Sequence, residues 1–126
     1  MAGIVVDTSV WIDFFAGKPA EELEEALSGG AVVIPPIVVA ELISGASAQQ
    51  RGTIGELLQD APVHETPLDH WIRVGDLRRE LTRKGVAVTI ADAHVAQCAL
   101  DRDAVLLTRD AAFVRIARHT ALRLRR

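Results

Sequence analysis

A short apolar run that ends on a carboxylate constrains this chain most strongly. Ile4, Val5 and Val6 form a β-branched run typical of a central strand covered on both faces. Asp7 follows without a spacer, so a charge is delivered to the carboxyl end of the predicted strand. In open α/β sheets, ligands bind outside those ends. Asp7 is therefore a candidate site residue, and a cap for the helix that starts near Thr8 is the alternative.

Strand-like and helix-like segments alternate along the rest of the chain. Four further strands are predicted, the first and third buried, the second weak, and the last an edge strand or basic tail: residues 31–34, 63–66, 104–107 and 122–126. The longest helix is predicted over residues 68–84. Its predicted inward face contains five apolar side chains: Leu68, Trp71, Val74, Leu77 and Leu81. This order predicts one α/β domain over residues 1–126, with a mostly parallel central sheet of four or five strands.

Composition supports a folded domain and limits where it acts. The 126 residues, 49% hydrophobic and 25% charged, are sufficient for one hydrophobic core. No run is apolar and long enough for a membrane span, and no signal-like segment precedes the first strand, so we expect a cytoplasmic protein. The single Cys98 matches no zinc spacing and is expected to be a buried, unreactive thiol. His94 is expected to be a hydrogen-bonded structural histidine.

Charge is distributed unevenly between the two halves of the chain. The net charge of −3 argues against simple electrostatic binding of nucleic acid. Residues 1–70 nevertheless contain 2 basic and 11 acidic side chains, and residues 71–126 contain 12 basic and 6 acidic ones. A basic second half is suited to phosphate contacts, and solvated helix faces are the alternative.

Three more carboxylates join Asp7 at the ends of predicted elements. Glu41 is the single charge over residues 31–48, where a buried carboxylate needs a cation, a salt bridge or water. Asp92 begins a helix in a capping-box pattern, so capping is the alternative role for it. Asp110 follows the predicted strand at 104–107, and helix capping is again the alternative.

A cluster of carboxylates needs positive charge, because like charges raise one another's pKa. An all-oxygen ligand set selects Mg²⁺ or Mn²⁺, and zinc is not expected because the set contains no Cys or His. A divalent cation there suits phosphodiester hydrolysis, since it lowers the pKa of a bound water and neutralises phosphate charge. The sequence contains no competing Ser-His-Asp, P-loop or Gly-x-Gly-x-x-Gly pattern.

The helix after Asp7 contains three of the five aromatic residues: Trp11, Phe14 and Phe15. Helical spacing places them on one side of that helix. Core packing is expected for at least one ring, and a surface for a partner protein is the alternative.

Four motifs in this order resemble those of PIN domains, in particular the VapC-type toxins of bacterial and archaeal toxin–antitoxin pairs. They are Val-Val-Asp-Thr-Ser-Val-Trp around Asp7, Val-Ala-Glu-Leu-Ile-Ser-Gly around Glu41, Ile-Ala-Asp-Ala around Asp92, and Leu-Leu-Thr-Arg-Asp ending at Asp110. Together they span nearly the whole chain. The resemblance implies a three-layer α/β/α fold, Mg²⁺- or Mn²⁺-dependent endoribonuclease activity, a homodimer, and inhibition by a VapB-like antitoxin.

The resemblance also assigns roles to individual residues. The acidic metal-binding set is Asp7, Glu41, Asp92 and Asp110. Ser9 is implied to order water at the metal, and Thr108 to brace the last acid. Many relatives read Thr-x-Asp-x-Asp-Phe at the last motif, whereas Ala112 stands here in place of the final acid. This departure removes one carboxylate from a second metal site.

Contacts with RNA and with the antitoxin are predicted from these positions. RNA is expected to bind partly to the basic second half through Arg109 and Arg115, with Arg109 nearest the chemistry because it adjoins Asp110. The aromatic helix, Trp11, Phe14 and Phe15, is expected to contribute to an antitoxin groove beside the first acid.

Two other functional classes fit parts of the pattern. A catalytically silent PIN-like binding module is favoured only by Ala112. A receiver-type phosphoryl-transfer domain would use Asp7 as acceptor and would need a lysine near the acidic pocket. Lys18 and Lys84 are the only lysines, and both lie at predicted helix ends.

Overall fold

The computed structural model describes residues 3–126, in which helices surround a four-stranded parallel sheet. In chain order the strands are β1 (Ile4–Val6), β2 (Val32–Val33), β3 (Val105–Leu107) and β4 (Arg123–Arg125). The seven helices of these residues are α1 (Thr8–Phe15), α2 (Glu21–Ser28), α3 (Pro36–Gly45), α4 (Ala48–Asp60), α5 (Leu68–Arg83), α6 (Ile90–Asp101) and α7 (Ala112–Arg118). Neighbouring strands pair in parallel in the order β2-β1-β3-β4. The predicted parallel α/β sheet is confirmed, including the edge strand at the carboxyl end of the chain.

Helices cover both faces of the central strand. Val5 and Val6 are both fully buried, and successive residues of a strand point to opposite faces of a sheet. Helix α6 packs against β1 and β3, while α2 packs against β2 and α7 against β4. The predicted three-layer arrangement is therefore confirmed. Among residues 3–126, every helix falls short of the length and hydropathy that a membrane span requires.

The strand register brings two chain exits to one point of the sheet edge. Val6 lies opposite Leu107, and the backbone N–H of Asp7 donates to the carbonyl oxygen of Leu107 at 2.9 Å. Asp7 and Thr108 thus leave adjacent central strands side by side. The carboxyl ends of β1 and β3 form the floor of the candidate site.

The predicted strand at residues 63–66 is wrong, since it is reduced to a single bridge between Ile34 and Val63. The N–H of Ile34 donates to Pro62 at 3.0 Å, and the N–H of His64 donates back to Ile34 at 2.8 Å. Pro62 and Pro67 flank the segment and lack the N–H groups that a longer ladder needs.

The predicted inward face of α5 is wrong in its first turn. Leu68 is 73% exposed and Trp71 is 41% exposed, whereas His70 is fully buried. His70, Val74 and Leu81 follow the spacing of one helical face and pack toward the interior. In its first turn, the buried face of α5 therefore contains the His70 imidazole, whereas the apolar pattern predicted Leu68 and Trp71 there.

Paired substitutions in α5 test this corrected face. Replacing the buried Leu81 by Ala is expected to lower the free energy of unfolding by about 2–5 kcal/mol, because transfer energy is lost and a cavity remains. Leu68→Ala, in the exposed turn of the same helix, should change it by less than about 0.5 kcal/mol. Urea denaturation measures both. Equal losses would show that the first turn packs inward after all.

Candidate functional site

Asp7 lies at the centre of the site and is only 6% exposed. It occupies the N-cap position of α1, but its side chain makes no capping hydrogen bond. Instead, Oδ2 accepts hydrogen bonds from the hydroxyls of Ser9 at 2.8 Å and Thr108 at 3.0 Å. Within residues 3–126, Oδ1 accepts no hydrogen bond, and it is not among the solvent-inaccessible unpaired atoms. One oxygen is therefore fixed and the other remains available to a ligand.

The two hydroxyls also hold the segment that follows β3. Ser9 Oγ accepts the backbone N–H of Arg109 at 3.1 Å, and Thr108 Oγ1 accepts the backbone N–H of Asp110 at 3.0 Å. Each hydroxyl thus donates to Asp7 and accepts from the chain after β3. Thr108 holds Asp110 through its backbone.

Asp110 begins the connection to α7 and is exposed. Its Oδ1 accepts the backbone N–H of Ala112 at 2.9 Å. The carboxylate therefore caps the start of α7 with one oxygen. At the position where many relatives have another acid, Ala112 supplies only this N–H.

Glu41 lies on α3 and is exposed, so its carboxylate has the opening to water that was one of its three predicted alternatives. Helix α3 packs beside α1, and Thr8 Oγ1 donates to Glu41 Oε1 at 2.7 Å. Because Thr8 directly follows Asp7, this hydrogen bond holds Glu41 at the rim of the same site.

Asp92 lies in the first turn of α6 and is half-buried. Burial raises the pKa of its carboxyl group, and the negative charges of Asp110 and Asp7 raise it further. Glu41 adds a smaller increase, while a hydrogen bond with Thr89 opposes it. Asp92 therefore lies within the electrostatic influence of the other three carboxylates, and a bound cation would offset it.

The chemistry of this set fits a hard divalent cation. Every donor is a carboxylate oxygen, as Mg²⁺ and Mn²⁺ prefer. Among residues 3–126, the group of three side chains whose donor atoms lie within 4.8 Å of one another is a different one: His64, His70 and Cys98. The wider acidic set suits Mg²⁺, which keeps several waters and takes one or two carboxylates directly.

The two arginines predicted to contact RNA lie in different surroundings. Arg109 donates to Asp13 Oδ2 at 2.7 Å and to the carbonyl of Pro19 at 3.1 Å, so its guanidinium is directed toward α1 and the start of α2. Arg115 lies on α7 and is exposed. With Arg118 it lines a surface groove of about 530 Å³ that also includes Asp110 and Arg126. Among the described residues, neither Arg115, Arg118 nor Arg126 forms a salt bridge.

The aromatic helix is divided between core and surface. Trp11 is fully buried and stacks on Phe15 at 5.9 Å between ring centroids. It is thus a core residue, as predicted for at least one ring, and its ring does not reach the surface. Phe14 and Phe15 are half-buried. A cavity of about 180 Å³ beside α1, α3 and α4 is lined by Ile12, Phe15, Ala16, Glu41, Leu42, Gly45, Ala46, Gln50 and Ile54.

Both lysines lie in surface ion pairs. Lys18 contacts Asp13 at 3.6 Å, and Lys84 contacts Glu80 at 3.8 Å. These partners are outside the acidic set, so the lysine that a receiver-type domain needs beside its acceptor is not supplied by either residue.

A buried polar cluster between α5 and α6 escaped sequence reasoning. The carboxylate of Asp101 accepts from His70 Nδ1 at 2.7 Å, from Arg73 Nε at 2.8 Å and from Gln97 Nε2 at 2.8 Å. Burial alone would raise the pKa of Asp101, but these hydrogen bonds hold it well below its usual range. Helical spacing was the available signal, since Gln97 and Asp101 lie four residues apart on α6 and His70 and Arg73 three apart on α5.

His94 extends this cluster and is the structural histidine that was predicted. Its Nδ1 lies 2.8 Å from His70 Nε2, and its Nε2 lies 3.8 Å from Cys98 Sγ. Because Asp101 only accepts, His70 donates through Nδ1 and accepts through Nε2. Burial, followed by the neighbouring His70 and His64, lowers the pKa of His94 to about 4, so its ring is neutral. Burial also raises the pKa of the Cys98 thiol to about 12.

Proteins of known structure share this fold over almost the whole chain. The family model for the PIN domain matches residues 4–119. A chain of the DNA-bound VapBC structure from Salmonella typhimurium is 26% identical, with a TM-score of 0.77 over 99% of this chain and 98% of that one. A chain of VapBC-1 from nontypeable Haemophilus influenzae is 25% identical, with a TM-score of 0.76 over 97% and 96%.

A third structure supports the fold alone. A chain of VapBC2 from Rickettsia felis, bound to a DNA fragment from their promoter, is 22% identical, with a TM-score of 0.78 over 97% of this chain and 96% of that one. No curated protein matches the chain.

Proposed function

The chain belongs to the PIN domain family, and on that premise we propose that it is a VapC-like toxin. In this proposal it is a single-domain, cytoplasmic, homodimeric endoribonuclease that depends on Mg²⁺ or Mn²⁺ and is neutralised by a cognate VapB-like antitoxin. One observation supports it above the others: Asp7 is held by two hydroxyls at the exit of the central strands, and its charge acts with those of Asp110 and Glu41 on Asp92. A silent binding module would have no need for this accumulation of negative charge.

Asp7, Asp92, Asp110 and Glu41 would hold the cation. When bound, a divalent cation lowers the pKa of a coordinated water and neutralises charge on the scissile phosphate. The acids are arranged for this role because Asp7 keeps Oδ1 free while Oδ2 is fixed by Ser9 and Thr108. In the hydrolysis, a water oxygen bonds to phosphorus and the bond from phosphorus to the leaving ribose oxygen breaks.

Substrate RNA would approach along the groove beside α7. Arg115, Arg118 and Arg126 line it together with Asp110, so positive charge adjoins the acidic set. Because these arginines form no salt bridge among residues 3–126, their guanidiniums remain available to phosphates. Arg109 is bound to Asp13 and Pro19, and we therefore assign it a structural role and transfer its predicted contact to Arg118.

The antitoxin would occupy the cavity beside α1. Ile12, which is 56% exposed, and Phe15 supply its apolar surface, and Glu41 lies on its lining. An apolar segment of the antitoxin seated there would bring a basic side chain within reach of Glu41. This arrangement would couple binding to inhibition. The similar structures from Salmonella typhimurium and nontypeable Haemophilus influenzae are both named as VapBC, a name that includes VapB as well as VapC.

Replacing Asp7 by Asn tests the catalytic assignment. Cleavage is expected to fall by at least roughly 100-fold, since partners of metal ligands alone contribute 10–100-fold. The amide keeps the size of the side chain but not its charge. Mg²⁺-dependent cleavage of a defined RNA measures the effect, with folding checked by circular dichroism. The matched control is Asp76→Asn on the exposed face of α5, and a folded Asp7→Asn protein that cleaves like this control would contradict the assignment.

The double substitution Arg115→Ala and Arg118→Ala tests the RNA groove. RNA affinity is expected to fall, and the slope of log affinity against log salt should decrease by about 1.4, because each single-strand phosphate contact contributes roughly 0.7. Arg51→Ala, an exposed arginine of the acidic half, is the control. Binding measured in the non-cleaving Asp7→Asn background avoids turnover. An unchanged slope would place the RNA elsewhere.

Alanine substitution of Phe15 tests the antitoxin cavity. Affinity for the cognate antitoxin is expected to fall by at least roughly 30-fold if this ring is an interface anchor. Ile90→Ala, equally apolar and 50% exposed on α6, should bind like wild type. Trp11→Ala should chiefly reduce stability, because its ring is buried. Equal affinity of wild type and a folded Phe15→Ala protein would remove this cavity from the interface.

A further inference from the structure

Outside the acidic site, the structure gathers a second set of potential metal ligands. The donor atoms of His64, His70 and Cys98 are buried and lie within 4.8 Å of one another. They come from the segment before α5, from α5 and from α6, so the fold and not sequence spacing brings them together. Cys98 is six residues after Asp92 on α6, which separates the two sets by roughly 9 Å along the helix axis.

Asp101 orients the His70 imidazole as the outer partner of a metal site does, and it also lies near the imidazole of His64. The same oxygen, Oδ2, lies 2.7 Å from His70 Nδ1 and 3.8 Å from His64 Nε2. Metal-binding histidines characteristically donate one ring N–H to a carboxylate and present the other nitrogen to the ion. In this arrangement His64 Nδ1 is unpaired, and His70 Nε2 would exchange its hydrogen bond from His94 Nδ1 for the bond to the ion.

An unpaired buried atom points independently to a missing ligand. His64 Nδ1 is buried and has no hydrogen-bond partner among residues 3–126. The His64 side chain as a whole is only 10% exposed, so water has little access to this nitrogen. A buried polar atom without a partner is destabilising. A cation bound at this nitrogen would satisfy it.

The donor chemistry selects the metal. Imidazole nitrogen with thiolate sulfur favours zinc over Mg²⁺. Zinc–ligand bond lengths of about 2.0–2.3 Å place the donor atoms of a tetrahedral site roughly 3.5 Å apart. The donor atoms of this group lie within 4.8 Å of one another, so the longest distance between them must shorten by about 1 Å. Rotation of the His64 side chain would shorten these distances, because this residue lies in the segment between α4 and α5 and not in a helix. His94 adjoins both neighbours, at 2.8 Å from His70 Nε2 and 3.8 Å from Cys98 Sγ.

We propose that His64, His70 and Cys98 bind a zinc ion, with Asp101 orienting the imidazole of His70 and His94 beside the fourth coordination position. Binding forms a sulfur–zinc bond and releases the thiol proton of Cys98 to solvent. The ion ties the segment between α4 and α5 to the two helices. It is separate from the Mg²⁺- or Mn²⁺-binding acids, and the inference does not depend on the proposed nuclease activity.

Cobalt substitution tests the site on the full-length, metal-stripped protein. Co²⁺ titration should produce a near-ultraviolet thiolate-to-cobalt charge-transfer band that saturates at one ion per chain. One equivalent of Zn²⁺ should abolish the band by displacement, whereas a large excess of Mg²⁺ should not. Zn²⁺ should also raise the unfolding temperature, since an ion that binds only the folded state stabilises it. A folded wild-type protein without the band would overturn the proposal.

Variants separate this site from adventitious binding at the thiol. His64→Ala should weaken Co²⁺ binding by at least roughly 10-fold, and it should remain folded because Nδ1 makes no hydrogen bond to lose. Cys98→Ser should lack the band. His119→Ala, which removes an exposed histidine after α7, is the matched control and should titrate like wild type. Unchanged Co²⁺ affinity in His64→Ala would also overturn the proposal.

Discussion

Two hydroxyl hydrogen bonds to one carboxylate oxygen hold the working end of this protein together. Asp7 is nearly buried at the centre of the sheet, where an unpaired carboxylate would be strongly destabilising. Ser9 and Thr108 satisfy its Oδ2 and at the same time bind the backbone that leaves β3. The position of Asp110 depends on these hydrogen bonds, because its backbone N–H donates to Thr108 Oγ1. Hydrogen bonds to ionised groups are among the stronger ones in proteins.

Three of the four acids lie at the N-terminal ends of helices. Asp7 directly precedes α1, Asp92 lies in the first turn of α6, and Asp110 caps the backbone of α7. The N-terminal ends of helices carry partial positive charge that favours carboxylates. The fold therefore offsets part of the like-charge repulsion with backbone dipoles. Burial, followed by the charges of Asp110 and Asp7, still raises the pKa of Asp92, so the helix dipole does not cancel these effects.

Strongly patterned parts of the chain were predictable, and parts that depend on side-chain direction were not. The run that ends at Asp7 and the run before Thr108 identified the central strands, since both are short apolar runs that end on a polar residue. Helix α3 is apolar nearly all round, so its sequence pattern does not show which face is buried. The outward position of Glu41 was therefore not predictable. Adjacency to Asp110 likewise did not reveal that the long side chain of Arg109 turns toward α1.

The buried histidines illustrate a different limit. A pattern that counts apolar residues treats His70 as polar and moves the inward face of α5 to Trp71. His70 is buried because α6 contributes two hydrogen-bond partners, His94 and Asp101, that lie 24 and 31 residues away in sequence. Such contacts follow from the tertiary fold, because spacing within one helix shows only which side chains share a face and not which helix lies opposite.

The last strand has a consequence for how copies of the chain behave in solution. In β4 the exposed side chains of Arg123 and Arg125 flank the half-buried Leu124 at the open edge of the sheet. Positive charge along an unpaired edge repels a second strand and discourages growth of the sheet between molecules. The opposite edge is protected because β2 has two residues and is followed by prolines. Apolar substitutions in β4 would thus turn a self-limiting sheet into a template for aggregation.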